Sequence, residues 1–134
     1  MLLEFVRRYC TLDGLRFNRP SVQHTLQGLI GRPPAGRLRL IVLHGKPVGY
    51  YCLSYGYSLE WHGRDLFLDE IFIDAPQRHK GLGAQVLHDL VSRARKQGFK
   101  AVHLVVRRGN TQALRFYSAN GFTRQNVVFM TRRL

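Results

Sequence analysis

Apolar and polar positions along the first third of the chain follow a helical period before they change to the alternation of a strand. The apolar residues of 2–10 and 20–31 recur at helical spacing, which predicts two short amphipathic helices. The segment 31–37 is rich in glycine and proline and is therefore expected to be a loop. Residues 37–44 alternate and then form a continuous apolar run, a pattern typical of a strand.

The middle of the chain predicts two more strands separated by tight turns. Residues 48–61 are rich in aromatic side chains, and residues 66–74 are largely apolar. Glycine-containing turns at 44–47 and 62–65 precede these two segments. Because such short connections join neighbouring antiparallel strands, we expect an antiparallel meander of three strands.

The last part of the chain predicts helices that alternate with strands. Apolar positions fall on one helical face over 81–98, and 110–120 predicts a second helix. Between them, 100–106 predicts a buried strand, because apolar residues occupy both of its faces. Residues 122–134 predict one or two closing strands. The whole pattern predicts an α+β fold, a single domain over 1–134 built on one mostly antiparallel sheet with flanking helices.

Composition narrows the classes of function. The 134 residues carry 21 Lys and Arg against 8 Asp and Glu, a net charge of +13. Nucleic acid is not expected as the main partner, because the arginines are dispersed and no helix-turn-helix, zinc-finger or RNA-binding aromatic motif is present. No apolar run is long enough to span a bilayer, and the start does not resemble a signal peptide. We therefore expect a cytoplasmic protein without a membrane partner.

The cysteines and histidines predict neither a disulfide framework nor a metal site. Cys10 and Cys52 are too few for such a framework, and the six histidines are scattered without the spacing of metal ligands. Five of the eight acidic residues, in contrast, lie between residues 60 and 74. An acidic segment in a basic protein is a candidate site for a cationic ligand.

The most distinctive local motif is QRHKGLGA at 77–84, between the third predicted strand and an apolar helix. Glycines at a helix start let a ligand approach the backbone closely, and the first-turn N–H groups favour a phosphate. Arg78, His79 and Lys80 add cationic donors. A glycine-assisted turn beside a solvated basic cluster is the alternative that this segment alone leaves open.

A second motif follows one helix and one strand later, NTQALRFY at 110–117, and ends in Asn-Gly-Phe at 120–122. Together the two motifs resemble the signature of the GNAT N-acetyltransferase superfamily, R/Q-x-x-G-x-G/A followed by N-x-x-A-x-x-x-Y-x-x-x-G-F. The resemblance covers roughly residues 37–134. The matching residues are Arg78, Gly81, Gly83, Asn110, Ala113, Tyr117, Gly121 and Phe122.

The resemblance implies the GNAT fold, in which the sheet splits between two parallel strands, here 66–74 and 100–106, and acetyl-CoA as cosubstrate lies in the split. In that family the glycine-rich loop holds the pyrophosphate, and the strand before it pairs with the pantetheine arm. The cofactor-binding residues implied in this way are Ile71, Phe72, Ile73, Arg78, His79, Lys80, Gly81, Leu82, Gly83, Ala84, Asn110 and Phe116.

The implied reaction is transfer of the acetyl group to a primary amine that attacks directly in a ternary complex. Glu70 is the candidate general base for the amine's proton, and strand alternation places Asp69 on the opposite face. Tyr117 is the candidate acid for the coenzyme A thiolate. Backbone N–H groups near 71–73 are expected to meet the oxyanion. The alternatives are that Glu70 is a surface or ion-paired residue and that Tyr117 is a tyrosine packed in the core.

The acceptor is expected to be a small cationic amine, because residues 55–73 also resemble the small-amine and diamine branch of the superfamily. Tyr55, Glu60 and Asp69 are candidate substrate-binding residues, since carboxylates and aromatic rings attract a cation. Charge balance with neighbouring arginines is an alternative role for these acids. A protein or peptide amine as acceptor, and a non-catalytic acetyl-CoA-binding regulator, remain alternative functions.

The start of the chain departs from the family pattern. Superfamily members usually begin with a strand before the first helix, whereas the pattern here begins with the helix at 2–10. Either the start is truncated or the sheet has an uncovered edge, and an uncovered edge invites strand pairing with a second subunit. We therefore expect a homodimer.

Overall fold

The computed structural model describes residues 1–31 and 35–134. Its four helices and four strands follow the order predicted for residues 1–120. The predicted loop at 31–37 includes residues 32–34, which lie outside the described residues. The elements are α1 (Leu2–Leu12), α2 (Arg19–Gly31), β1 (Gly36–Leu43), β2 (Lys46–Ser58), β3 (Gly63–Ile73), α3 (Leu82–Lys96), β4 (Ala101–His103) and α4 (Thr111–Ala119).

The four strands form one mixed sheet in the order β1-β2-β3-β4. β1, β2 and β3 pair antiparallel. At the first tight turn His44 and Gly45 have φ of 48° and 75°, and at the second His62 has a φ of 58°. Such left-handed residues let the chain reverse within two residues between β1 and β2 and within four residues between β2 and β3. β4 pairs parallel to β3, so two of the three strand pairings are antiparallel and the sheet is mostly antiparallel, which confirms the predicted α+β fold.

The two parallel strands separate after a short ladder. Residues 65–67 of β3 pair with residues 101–103 of β4, and β3 then continues to Ile73. The strand predicted at 100–106 is shorter than expected because it diverges from its neighbour and loses the ladder. This divergence confirms the predicted split in the sheet.

A bulge in β3 decides which way the candidate base faces. Consecutive residues of β2 lie opposite Glu70 and Leu68, so Asp69 is an extra residue in β3. Leu68 packs on the α3 side of the sheet, whereas Phe72 packs on the α1 side. In a regular strand an even spacing keeps two residues on one face. The prediction that Asp69 and Glu70 face opposite sides of the sheet assumed strict alternation, and the bulge interrupts that alternation at Asp69.

Helices cover both faces of the sheet and bury a core on each. The core on the α1 side consists of Phe5, Val6, Cys10, Tyr50 and Phe72. The core on the α3 side consists of Ile41, Tyr51, Leu53, Leu66, Leu68, Leu87, Leu90, Ala94 and Phe99. The candidate site lies where these two layers meet the split between β3 and β4.

The end of the chain differs from the prediction. Residues 122–134, expected to form one or two strands, belong to neither a helix nor a strand. The side chains of Val127, Val128, Phe129 and Met130 are between 69% and 87% exposed. A strand needs a neighbour for its backbone N–H and C=O groups, and this apolar segment lies away from the rest of its own chain.

Candidate active site

The loop between β3 and α3 presents backbone N–H groups to the cleft. Gly81 stands at the N-cap of α3 in the left-handed region, with a φ of 79°, and no side chain caps the helix. His79 is also left-handed, with a φ of 58°. The first-turn N–H groups of α3 are therefore free to bind an anion at the positive end of the helix dipole. This geometry fits a phosphate.

Gly83 is required by a close approach between α3 and α4. A Cβ atom added at Gly83 would lie 3.0 Å from Cζ of Phe116 and 3.7 Å from Cδ1 of Ile73. At Gly81, in contrast, an added Cβ meets no atom within 4 Å. The two glycines of the motif therefore have different functions: Gly81 supplies a backbone conformation, and Gly83 lets the ring of Phe116 reach the loop.

Arg78 braces the end of β3. Its Nε donates a hydrogen bond of 2.6 Å to the carbonyl oxygen of Ile73. Its guanidinium carbon lies 5.4 Å from the ring centroid of Phe72, within the range of a cation–π contact. Arg78 also lines the cleft beside the loop, so a guanidinium charge is available there to an anion.

A cleft of about 720 Å³ brings most of the predicted cofactor-binding residues together. Its size falls in the range of small-molecule sites. Its lining joins the end of β3, the glycine-rich loop and the cleft side of α4. The lining residues are Ile71, Ile73, Arg78, His79, Gly81, Gly83, Ala84, Asn110, Gln112, Ala113, Phe116, Tyr117 and Asn120.

Three predicted cofactor-binding residues do not line this cleft. The side chain of Phe72 is buried against α1, and that of Leu82 packs on the α3-side core. Lys80 is exposed on the loop. Phe72 and Leu82 can meet a ligand through their backbone atoms alone, as expected for a strand and for the first turn of a helix.

Asn110 and Tyr117 stand at the two ends of α4. The side-chain oxygen of Asn110 accepts a hydrogen bond of 3.1 Å from the backbone N–H of Ala113 and so caps the helix. The Tyr117 ring lies between Phe116 and Phe122, at centroid distances of 5.2 Å and 5.7 Å. Burial raises the pKa of the Tyr117 phenol, which keeps the proton that an acid must donate.

Glu70 is partly buried on the α1 side of β3. The Tyr50 hydroxyl donates a hydrogen bond of 2.6 Å to Oε2 of Glu70. Burial raises the pKa of the Glu70 carboxyl, the hydrogen bond from Tyr50 opposes the rise, and the charges of Asp69 and Asp13 add to it. A carboxylate with a raised pKa is a stronger base than an exposed one and suits proton abstraction near neutral pH.

Helix α1 contributes residues that the sequence pattern did not assign to the site. The pKa of the Tyr9 phenol is raised first by burial and then by the neighbouring charges of Glu70 and Asp13. At the end of α1, Asp13 lies 3.6 Å from the guanidinium of Arg107, on the loop between β4 and α4. In the sequence Tyr9 was only one position of an amphipathic stripe, so no local signal distinguished it from a core residue.

The predicted acceptor-binding residues are not brought to one place. Asp69 lies beside Glu70, and its charge raises the pKa of the Glu70 carboxyl. Tyr55 instead packs against Phe99 of the α3-side core, with ring centroids 5.0 Å apart. Glu60 is exposed at the tip of the β2–β3 hairpin. At a rise of about 3.3 Å per residue, that tip lies about 20 Å along β3 from Glu70.

The other acids of the segment 60–74 have partners of their own. Asp74 lies 2.7 Å from the guanidinium of Arg8. Asp65 lies 3.2 Å from Nε2 of His103 across the parallel ladder. The acidic residues are therefore spread from the β2–β3 turn to the end of β3, and two of them, Asp65 and Asp74, contact side chains of neighbouring elements.

Comparison with known proteins assigns the chain to a family. The sequence profile of the acetyltransferase (GNAT) family matches residues 4–122, which include the loop, the split and α4. The chain belongs to the GNAT family. This GNAT chain is 31% identical over 87 residues to an uncharacterized N-acetyltransferase of Methanocaldococcus jannaschii. It is 30% identical over 74 residues to the thialysine N-epsilon-acetyltransferase of Bos taurus.

These matches are partial in both directions. They cover 64% and 55% of the GNAT chain, and 38% and 43% of the lengths of the two relatives. The chain thus spans less than half the length of the curated relatives that it matches.

Solved structures match the fold over almost the whole chain. An integron cassette protein from the mobile metagenome of Cole Harbour Salt Marsh has a TM-score of 0.86 at 26% identity, covering 99% of this chain and 82% of that one. An aminoglycoside acetyltransferase from an uncultured soil metagenomic sample has a TM-score of 0.82 at 18% identity, covering 98% and 87%. At that identity the likeness to the second protein shows the fold alone. Within the described residues of the GNAT chain, no helix is long and apolar enough to cross a membrane.

Proposed function

We propose that this chain transfers the acetyl group of acetyl-CoA to a primary amine, and that the acceptor is a small cationic amine. The observation that carries the proposal is the cleft of about 720 Å³ at the split of the sheet, which joins an anion-binding helix start to a half-buried tyrosine. Family membership supports the reaction class. Glu70, Tyr117 and the backbone of β3 are the proposed base, acid and oxyanion donors of that reaction.

The binding of acetyl-CoA is supported by the shape and the donors of the loop. The bare N-cap at Gly81, the guanidinium of Arg78 and the imidazole of His79 suit the pyrophosphate. Between Ile71 and Ile73 the backbone of β3 borders the cleft on the side where β4 has diverged, so its N–H and C=O groups can pair with the pantetheine amides. The same N–H groups are the proposed donors to the oxyanion.

Glu70 is the proposed general base. A lysine-like amine has a pKa of about 10.4 and is neutral in fewer than about one molecule in a thousand at pH 7. Removing its proton accounts for about 4–5 kcal/mol of the barrier. Glu70 is ionised above its raised pKa and is held by Tyr50, so it can take that proton directly or through a water molecule.

Tyr117 is the proposed acid for the coenzyme A thiolate. Its hydroxyl belongs to a residue that lines the cleft, and burial keeps it protonated. A phenol matches the basicity of a thiolate leaving group closely enough for proton transfer, and solvent can restore the proton afterwards. Holding the two substrates together contributes up to about 7–11 kcal/mol beyond either group.

The acceptor class is supported by the charges around Glu70. The charges of Asp69 and Asp13 both raise the pKa of Glu70, so a cation beside that carboxyl would be stabilised by neighbouring negative charge, although Asp13 also pairs with Arg107. The proposal therefore keeps Asp69 as a substrate-binding residue and replaces Tyr55 and Glu60 by Asp13. The relative from Bos taurus is a thialysine N-epsilon-acetyltransferase, and an ε-amine is an acceptor of the proposed kind.

The proposal also covers the compartment of the enzyme and its oligomeric state. Cys10 and Cys52 are both free thiols, and burial raises the pKa of the Cys52 thiol to about 12. Unreactive free thiols suit a reducing compartment such as the cytoplasm. We propose one acetyltransferase domain over residues 1–134 that works as a homodimer.

Release of the coenzyme A thiol over a panel of amines tests the reaction and the acceptor together. We expect turnover with small diamines and cationic amines and little with neutral amines or peptides. Peptide amines as the best acceptors would support the alternative acceptor class, and acetyl-CoA binding without thiol release would support a regulator.

The same assay identifies the base through its pH profile. Glu70→Gln is expected to lower the rate about 10²-fold near neutral pH, and the deficit should shrink as the pH approaches the pKa of the amine. Glu60→Gln is the matched control, because it makes the same chemical change at the exposed hairpin tip. A loss at Glu70 that does not vary with pH would assign it a structural role.

A further inference from the structure

A small pocket lies on the α3 side of the sheet, toward the opposite end of α3 from the glycine-rich loop. It measures about 20 Å³ and is lined by β1, by β2 and by the C-terminal half of α3. Its apolar lining belongs to the α3-side core. Its polar lining includes three arginines, Arg37, Arg39 and Arg93, and the side chain of Tyr51. We call it the arginine pocket.

Strand pairing brings two of these arginines to the same side of the pocket. In the ladder between β1 and β2, Arg39 lies opposite Tyr51, and Arg37 lies opposite Leu53. Residues two apart on a strand share a face, and Ile41, the next residue on this face of β1, belongs to the α3-side core. Side chains directly opposite each other on neighbouring strands are close enough to interact. Arg39 is therefore held beside the Tyr51 ring.

The pocket has more positive charge than its own acids balance. Nε of Arg93 donates a hydrogen bond of 2.7 Å to Asp89, so these two charges compensate each other. None of the ion pairs among the described residues includes Arg37 or Arg39. The C-terminal end of α3 adds only a partial negative charge of about one half. Because Arg39 is half-buried without an acid, an anion beside it would offset the cost of burying its charge.

Tyr51 supplies a hydroxyl that the described residues leave without a partner. Its side chain is 8% exposed and lines the pocket. The Tyr50 hydroxyl donates to Glu70, whereas no hydrogen bond is formed by the hydroxyl of Tyr51. Burial raises the pKa of the Tyr51 phenol, and the charges of Arg39 and Arg93 lower it. Both guanidinium groups therefore lie near this hydroxyl. A hydroxyl that is nine-tenths buried is ordinarily hydrogen-bonded, so its partner must lie in the pocket.

We propose that the arginine pocket binds a phosphate group, either as the free ion or as a monoester. Guanidinium groups match phosphate oxygens with pairs of N–H donors, and the Tyr51 hydroxyl can donate to the oxygen that enters the pocket. A phosphate monoester is close to doubly charged, so it compensates both Arg37 and Arg39, whereas a carboxylate leaves one of them uncompensated. A volume of about 20 Å³ admits one or two groups of the size of a water molecule. The rest of a larger ligand therefore stays outside the pocket.

This site is separate from the proposed acetyl-CoA cleft. Arg93 follows Gly83 by ten residues of the same helix, a rise of about 15 Å. A phosphate in the arginine pocket therefore does not take the place of the pyrophosphate at the glycine-rich loop. The proposal goes beyond acetyl transfer, because it assigns a second ligand to the opposite part of α3.

Nuclear magnetic resonance of the full chain tests the site with inorganic phosphate as the probe. Coenzyme A is present in excess, and sodium chloride holds the ionic strength constant. We expect saturable shifts of the Nε–H signals of Arg37 and Arg39 and of the amides of 51–53, and none at the amides of 81–84. Shifts without saturation, or shifts at 81–84 alone, would overturn the proposal. Acetate should bind about tenfold more weakly, and equal binding of acetate would overturn the assignment to phosphate.

Glycerol phosphate distinguishes the two sources of the phosphate group. Because the pocket admits only oxygen atoms of the ligand, we expect the monoester to bind as tightly as inorganic phosphate. That result would identify a larger phosphorylated molecule as the ligand. Weaker binding of the monoester would identify the free ion, and both results keep the site.

Variants of the pocket separate a site from general attraction by a basic protein. Arg37→Gln with Arg39→Gln should weaken phosphate binding about tenfold or more, and Tyr51→Phe about threefold to tenfold. Arg95→Gln with Arg132→Gln is the matched control, because it removes the same charge at exposed positions outside the pocket. Circular dichroism and melting establish that each variant is folded. Equal weakening in the control would mean that only net charge attracts the anion. A Tyr51→Phe variant that binds as tightly as the parent chain would place the anion outside the pocket. Either result overturns the proposal.

Discussion

Glu70 is a buried acid whose proposed chemical role conflicts with the stability of the fold. Burial raises its folded pKa above the ordinary carboxyl value of about 4.3. Between these two pKa values the folded chain holds the proton more firmly than the unfolded chain does. The contribution of Glu70 to stability therefore falls as the pH rises through that window, and above it the ionised carboxylate is a constant cost.

Replacing this acid should consequently stabilise the protein while it removes the base. We expect Glu70→Gln to raise the Tm by a few degrees at pH 8, and the difference from the parent chain to be smaller at about pH 4. Thermal melting across this pH range measures the effect. Glu60→Gln is the control, because Glu60 is exposed. A Glu70→Gln variant that melts below the parent chain at pH 8 would contradict the burial argument.

Tyr117 differs from the other tyrosines because it combines burial with a place in the cleft lining. We expect Tyr117→Phe to lower kcat about 10- to 1000-fold with little change in the affinity for acetyl-CoA, as for loss of one proton donor. Steady-state kinetics and calorimetry measure the two quantities. Tyr57→Phe is the matched control, since Tyr57 is 83% exposed. A full kcat in the Tyr117→Phe variant would mean that the thiolate leaves without this hydroxyl.

The loop and its helix depend on two glycines in separable ways. Gly83→Ala places a methyl group 3.0 Å from Phe116, an overpacking that typically costs about 1–3 kcal/mol. Gly81→Ala meets no atom but must keep a positive φ, which costs roughly 1–2 kcal/mol. Both variants should lower the Tm and weaken acetyl-CoA binding.

A second substitution distinguishes the two causes. Phe116→Leu removes the ring that an alanine at position 83 would meet, so it should recover part of the stability lost in Gly83→Ala. It should recover none of the stability lost in Gly81→Ala. Chemical denaturation of the single and double variants measures the coupling. Equal effects of Phe116→Leu in both backgrounds would contradict the close approach of α3 and α4.

Elements with a strong local period were predictable from the sequence, and the fold class follows from them. α3 and α4 lie within a few residues of their predicted bounds because apolar spacing and flanking Asn or Gly residues specify them locally. The bulge at Asp69 was not predictable, because it depends on the register between β2 and β3 and leaves no pattern in the sequence of β3 itself. The strands predicted after α4 do not form, because residues 122–134 have no strand neighbour in their own chain and a local pattern does not show whether one exists.

The same distinction applies to the site. Gly81, Asn110 and Tyr117 were found through the resemblance to the GNAT signature, since each belongs to a motif contained in one loop or helix. Asp13 and Tyr9 reach Glu70 from the far end of the chain, and only the packing of α1 on β3 brings them there. Conversely, Tyr55 on β2 and Glu60 in the β2–β3 turn were close to Glu70 in sequence, but the extended strands of the hairpin separate them from it in space.

Across the whole molecule, a net charge of +13 should attract an anionic cosubstrate before any contact forms. We expect the association rate of acetyl-CoA to fall about tenfold as the salt concentration rises from low to about 0.5 M, because screening shortens the reach of the field. The dissociation rate should change less. Stopped-flow measurements at several salt concentrations check this, and an association rate independent of salt would mean that the excess charge lies away from the cleft.

The parallel ladder between residues 65–67 and 101–103 makes the rest of β3 a lever. From Phe67 to Ile73 the strand extends about 20 Å, at about 3.3 Å per residue. A rotation of about 5° at the ladder would therefore move Ile73 by almost 2 Å, and a misplacement of about 1 Å can cost about 10²-fold in rate. The 3.2 Å contact between Asp65 and His103 lies within this ladder, at the point about which the strand would rotate. Substitutions there, remote from every proposed reacting atom, should alter how wide the cleft opens.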